Sequence, residues 1–132
     1  MNQRVYYADT DAYGVVWHGT YVRWMELARV EFCRELGINF VELKSQGIMT
    51  PVTNLSIRYK SPAMIDEPLT VETYIKEIKP LTILFTQIVK NAESGQVHII
   101  GEVEVVAVNN EGKIYRKIPE VLRIPCEQAM NG

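Results

Sequence analysis

The stretch Asp9-Thr10-Asp11-Ala12-Tyr13-Gly14-Val15-Val16-Trp17-His18-Gly19-Thr20-Tyr21 holds the densest set of chemically capable residues in this 132-residue chain. Two carboxylates stand before a glycine turn. An apolar segment, Val15-Val16-Trp17, then runs directly into the start of a helix. A buried loop must satisfy its backbone groups internally or leave N–H donors for a ligand. The first turn of a helix exposes such donors and carries partial positive charge. A carbonyl oxygen placed there would be polarised, and a carboxylate beside it could attack the carbonyl carbon or activate water. A purely structural role fits the same spacing: Asp9 and Asp11 as Asx-turn residues around Gly14, Trp17 and Tyr21 as core anchors, and His18 as a surface histidine. Glu26 and Arg29, three apart, would on a helix form an exposed pair worth only a few tenths of a kcal/mol. Spacing alone leaves both readings open.

Composition removes several other functions. Fourteen basic against sixteen acidic residues give a net charge of −2, without the basic excess or stripe of a nucleic-acid binder. The longest apolar run, Val103–Val108, is interrupted by Glu104 and is too short to span a bilayer. The first residues turn acidic at once and lack the apolar core of a signal peptide. Cys33 and Cys126 are the only cysteines, too few for a disulfide framework. A soluble protein of the reducing cytoplasm is expected. His18 and His98 are far apart and show no zinc-ligand spacing, so no metal and no cofactor is expected.

The elements that must position the loop are legible in the periodicity. Tyr21, Trp24, Met25, Ala28, Phe32 and Leu36 recur at helical spacing from a start near Gly19-Thr20, with Gly37 as the stop. Residues 4–8 read as a short strand. Downstream, Leu55-Ile57-Tyr59 alternate as a half-buried strand, as do Leu69-Val71-Thr73-Ile75. Leu81 to Lys90 and Val97 to Val108 make two more, joined by the polar turn at 91–95. Asn109-Asn110-Glu111-Gly112 signals a second hairpin into a last strand near 113–117, and a brief helix begins at Ile118-Pro119-Glu120. One long helix and about five antiparallel strands imply an α+β domain over residues 1–132, with a curved sheet wrapped around the helix. Its exposed edges invite pairing with a second copy, so a homo-oligomer, dimer or tetramer, is expected.

The order Asp9-Thr-Asp11, Gly14-Val-Val-Trp-His18, Tyr21, Trp24 and Glu26-x-Ala-Arg29 resembles the acyl-CoA thioesterases of the 4-hydroxybenzoyl-CoA thioesterase family, of hotdog fold. It resembles the bacterial Tol–Pal-associated thioesterases more closely still. Thr50-Pro51, Tyr59-x-Ser-Pro62-Ala and Asp66-x-Pro-Leu69-Thr-Val-Glu extend the likeness over nearly the whole chain. The resemblance implies thioester hydrolysis to a free acid and coenzyme A, with Asp11 as nucleophile or as general base. It implies that the backbone N–H of His18 polarises the carbonyl. His18 stands where the type enzyme has tyrosine, which leaves a main-chain role intact. Asp9 matches a structural motif residue. Glu26 and Thr50 match acyl-pocket positions, with Tyr13 and Trp17 beside them and Tyr13 narrowing the mouth. Glu26 is one methylene longer than the carboxylate that meets the hydroxybenzoyl hydroxyl, which argues against that particular acyl group. Lys79 and Arg116 align with basic residues that meet coenzyme A phosphates across the subunit boundary, where fixed positive charge is needed. Met25 is counted among the residues that set pocket depth.

Two other readings stand beside this one. A hotdog hydratase or dehydratase would need an acid–base pair, for which His18 and Asp11 are available. A non-catalytic module would bind an acyl thioester without cleaving it. The carrier in any of them is coenzyme A or an acyl carrier protein.

Overall fold

In the computed structural model, which describes residues 1–131, five strands and three α-helices follow one another in the order β1 (Asn2–Arg4), α1 (Thr20–Glu35), α2 (Phe40–Ser45), β2 (Val52–Tyr59), β3 (Pro68–Ile78), β4 (Thr82–Asn91), β5 (Val97–Val106) and α3 (Glu120–Asn131). Gly132, the last residue of the expected domain, lies outside the described residues. The strands form one antiparallel sheet ordered β1-β3-β4-β5-β2. This is the α+β hotdog arrangement of one long helix against a five-stranded sheet.

The helix α1 buries Tyr21, Trp24, Met25, Ala28 and Cys33. Cys33 takes the innermost place at its last turn, and Phe32 and Leu36 are only partly buried. Leu69 and Val71 of β3, Ile83, Phe85 and Val89 of β4, and Ile99 and Val103 of β5 face it. Each such side chain contributes about 1.5–3 kcal/mol when fully buried. Helix and sheet meet closely at Gly101, where an added Cβ would lie 2.4 Å from the Met25 methyl. Met25 is fully buried in that contact and belongs to the core. One extra residue on a strand bends a sheet, and the register shifts at three places: Val52/Asn54, Ile75/Glu77 and Val89/Lys90.

The helix stops as the glycine signal requires. Gly37 has φ +84°, its N–H reaches Arg34 O at 2.9 Å, and Ile38 N–H reaches Cys33 O at 2.9 Å, the paired bonds of a Schellman motif. The same device closes α2, at Gly47 (φ +78°) and Ile48 N–H to Leu43 O (2.8 Å). Asn39 opens α2 by accepting from the N–H groups of Val41 and Glu42.

The structure departs from these expectations at several places. The strand expected at residues 4–8 lies earlier, at Asn2–Arg4, because Asp9 Oδ2 accepts the Tyr6 N–H at 2.8 Å and winds Tyr7–Asp9 into a 3₁₀ turn. The strand expected near 113–117 is only an isolated bridge, Ile114 to Val108, because after the Asn109 turn Tyr115 is drawn inward to donate to Gly47 O. The brief terminal helix is the twelve-residue α3, and α2 was not foreseen. Leu55 and Tyr59 of β2 are exposed where half-burial was expected, since in the single chain β2 is the sheet's edge and Tyr59 meets α1 edge-on at Tyr21, ring centroids 5.9 Å apart, with its other side open.

Candidate functional site

The loop from Asp9 to Gly19 is fixed mostly by its own backbone. Asp11 N–H donates to Val15 O and Trp17 N–H to Asp9 O, both at 2.9 Å, closing residues 10–16 into a tight ribbon. Gly14, at φ +78°, supplies the left-handed residue the turn needs. Asp9 is structural three times over: Oδ2 takes Tyr6 N–H, and its carbonyl takes Trp17 N–H and the Thr20 hydroxyl. Asp11 Oδ1 accepts Tyr13 N–H at 2.8 Å, so the Asx-turn expected from spacing is present. Its Oδ2 has no protein partner among the described residues. One oxygen therefore orients the half-buried carboxylate and the other is left available.

The His18 N–H, two residues before the first residue of α1, also donates to nothing among the described residues. The His18 carbonyl is held by the Tyr59 hydroxyl at 3.0 Å, and the His18 imidazole is exposed beside the Trp17 indole, centroids 5.0 Å apart. Gly19 is forced by that indole, since a Cβ there would lie 2.3 Å from the Trp17 ring. Tyr13 and Trp17 are both exposed, Tyr13 almost completely.

A second segment braces the loop. Val16 N–H donates to Ala63 O at 2.9 Å, Val15 bridges Met64, and Ala63 N–H meets the Tyr21 hydroxyl. Burial, above all other causes, pushes the Tyr21 phenol above its ordinary pKa. The bracing segment is tied to the sheet by His98, a buried residue at the β5 bulge that sequence reasoning passed over. Its Nε2 contacts Glu67 Oε2, and its Nδ1 lies 3.0 Å from Ser61 Oγ and 3.2 Å from Ser61 O. Serine, histidine and a carboxylate are the types of a nucleophilic triad. Here the Ser61 hydroxyl donates to Val97 O at 2.8 Å and His98 is 1% exposed, so the set works as a tether.

Glu26 and Thr50 do come together, on the wall of a cavity of about 480 Å³ between α1, α2 and the ends of β2, β4 and β5. Asp11, Tyr13, Trp17 and His18 do not line it. Lys79 and Arg116 stand elsewhere again, both exposed. Their segments are joined where Ile118 N–H reaches Pro80 O at 3.3 Å. The expected site residues thus form three groups within one chain. No cluster of metal-ligating side chains occurs among the described residues, and no described helix is long and apolar enough to cross a membrane.

Comparison with known proteins gives a consistent result. A family model described as the thioesterase-like superfamily matches residues 5–126. The Escherichia coli acyl-CoA thioester hydrolase YbgC is 36% identical over 105 residues, which are 80% of this chain and 76% of that protein. The crystal structure of the hypothetical protein TT1821 from Thermus thermophilus superposes with a TM-score of 0.88 at 27% identity, covering 98% of this chain and 97% of the other. The DHNA-CoA thioesterase of Staphylococcus aureus superposes at 0.87 with 26% identity, covering 99% and 87%.

Proposed function

This chain belongs to the thioesterase-like superfamily, and from that premise we propose that it hydrolyses an acyl-CoA thioester to a free acid and coenzyme A, with Asp11 and the backbone N–H of His18 as its working parts. One observation carries the assignment of roles: a carboxylate oriented through Oδ1 with Oδ2 unused stands in the same short loop as an unused N–H at the helix start. The thioester oxygen accepts from His18 N–H, where the helix end favours developing negative charge. Asp11 then acts in one of two ways. As nucleophile, its oxygen bonds to the carbonyl carbon, the C–S bond breaks, and water hydrolyses the resulting anhydride. As general base, it takes a proton from water, the hydroxide oxygen bonds to carbon, and the thiolate leaves. A thiol of pKa ~8.5 departs readily near neutral pH, so a strong acid for the leaving group is unnecessary.

The acyl group enters the cavity lined by Glu26 and Thr50, and Lys79 and Arg116 hold coenzyme A phosphates. The separation of these groups within one chain supports a site completed by a second copy. Val52, Leu55 and Tyr59 lie exposed on β2, at the edge of the sheet, and there a homodimer, or a tetramer built from two such dimers, extends the sheet. We place the enzyme in the cytoplasm, acting on coenzyme A or acyl-carrier thioesters.

The test is free-thiol release from short-chain, long-chain and aromatic acyl-CoAs by wild type and Asp11→Asn, with molecular mass measured by light scattering. Hydrolysis by wild type and a loss of at least ~10²-fold in the variant are expected. Unchanged release in Asp11→Asn sinks the role of Asp11. Water addition to an enoyl thioester without thiol release would select the hydratase, and tight binding without release the non-catalytic module. Oxygen-18 from water found in the Asp11 carboxylate after a single turnover would select the nucleophile.

A further inference from the structure

The cavity beside α1 contains a charge that its apolar walls do not explain. Ile38, Ile48, Ile83 and Phe85, all buried, form much of its wall, and Arg29 projects from α1 among them. Arg29 forms no ion pair among the described residues, not even with Glu26 one turn earlier. The guanidinium is instead held by an uncharged group, Nη1 donating to Gln87 Oε1 at 3.0 Å. Gln87 is fully buried on β4, and its Nε2 donates to Met25 O at 2.8 Å and to Thr73 Oγ1 at 3.0 Å. Those two bonds fix the amide so that its oxygen faces Arg29. Of the five guanidinium N–H donors, the described residues engage only this one side. Burial lowers the Arg29 pKa from its ordinary value, an effect Glu26 opposes. Arg34 and Lys44, both exposed and both without an ion pair among the described residues, also line the cavity. Three cations therefore surround an apolar space with one carboxylate among them. A partly buried cation lacking a counter-ion is costly, and an anionic ligand would supply the missing charge. A planar guanidinium matches a carboxylate through two parallel hydrogen bonds, and ~480 Å³ is within the usual range for small-molecule sites.

We propose that this cavity binds an apolar chain or ring ending in a carboxylate, with the carboxylate seated on Arg29. That the ligand is an acyl group rests on the thioesterase reading, and on that reading the preferred acyl group carries a second acid at its far end. The acyl body lies against Ile38, Ile48 and Phe85, and Gln87 keeps Arg29 aimed at its end.

Binding is tested by calorimetric titration of sodium octanoate and of 1-octanol into wild type, Arg29→Gln and Arg29→Lys. Octanoate is expected to bind wild type at least tenfold more tightly than octanol. The difference should vanish in Arg29→Gln, which keeps a donor for Gln87, and return in part in Arg29→Lys. Equal binding of the two ligands by wild type overturns the proposal without recourse to any variant. The acyl assignment is tested by kcat/KM for adipoyl-CoA against its uncharged isostere 6-methylheptanoyl-CoA. A tenfold preference for adipoyl-CoA that disappears in Arg29→Gln supports it, and a preference for the isostere overturns it. If wild type releases thiol from no thioester while octanoate binding still depends on Arg29, the thioesterase reading has failed and the anion site stands.

Discussion

The Asp9–Gly19 loop and the cavity beside α1 are built by opposite means. Most bonds that shape the loop join residues close in sequence: Asp11 to Tyr13 and Val15, Asp9 to Tyr6 and Trp17. The cavity takes its wall from α1, α2, β2, β4, β5 and α3, and its one fixed cation is aimed by a glutamine 58 residues away. A locally closed loop presents backbone and carboxylate groups in a set geometry whatever the acyl group is. A cavity assembled from distant segments changes shape with any of them, which suits the choice of ligand.

That division is broken most sharply by a crossed pair of variants. Asp11→Asn should cost at least ~10²-fold in kcat and leave octanoate affinity as in wild type. Arg29→Gln should do the reverse, keeping turnover of uncharged acyl-CoAs within a few-fold. If either variant damages both properties equally, loop and cavity act as one unit. Next in size, Glu67→Ala removes the partner of buried His98, which should cost about 3 kcal/mol in urea denaturation and loosen the segment that braces Val16. Glu67→Gln, which keeps a hydrogen-bonding group, should lose clearly less. Gln87→Leu, on the cavity side, should cost about 1–2 kcal/mol by leaving Met25 O and Arg29 short of a partner. It should weaken octanoate more than it slows hydrolysis of an uncharged acyl-CoA.

The smallest effect lies outside both regions and calibrates them. Lys90, reaching across from β4, and then Tyr74, two residues along β3, hold the Glu72 carboxyl below its ordinary value of 4.5 by hydrogen bonding. A depressed folded-state pKa gives stability that is present above the unfolded value and lost as pH falls through the folded one. Glu72→Gln should therefore lower stability slightly near pH 6, by roughly 0.5 kcal/mol or less, read as a small drop in melting temperature. The difference from wild type should close as pH drops below about 4.5. Buried Cys33 and Cys126 supply a further check: burial pushes their thiols to about 12 and about 11. Iodoacetamide at pH 8 should label neither until the protein unfolds.

Much of this was readable in the residues themselves. The apolar stripe of α1 and its Gly37 stop, the β3, β4 and β5 alternation, and the Asx-turn at Asp11 all depend on neighbours within about four positions. Helix α2 was missed, although Asn39 caps it and Gly47 stops it, because six residues are too few to show a helical period. One misreading has another cause. Leu55 and Tyr59 alternate as buried residues do, yet they sit on an edge strand and are exposed in the single chain.

Helix α1, strands β2 to β5 and the local geometry that leaves Asp11 and His18 with groups to spare were carried by neighbouring residues, because those features follow from backbone sterics and short-range hydrogen bonds. Packing between distant segments is what makes Gln87 aim Arg29 into a cavity, lets His98 tie the bracing segment to the sheet, and lets Gly101 admit Met25. Each of these brings together side chains dozens of positions apart, through the curvature of a sheet whose bulges no local periodicity reveals.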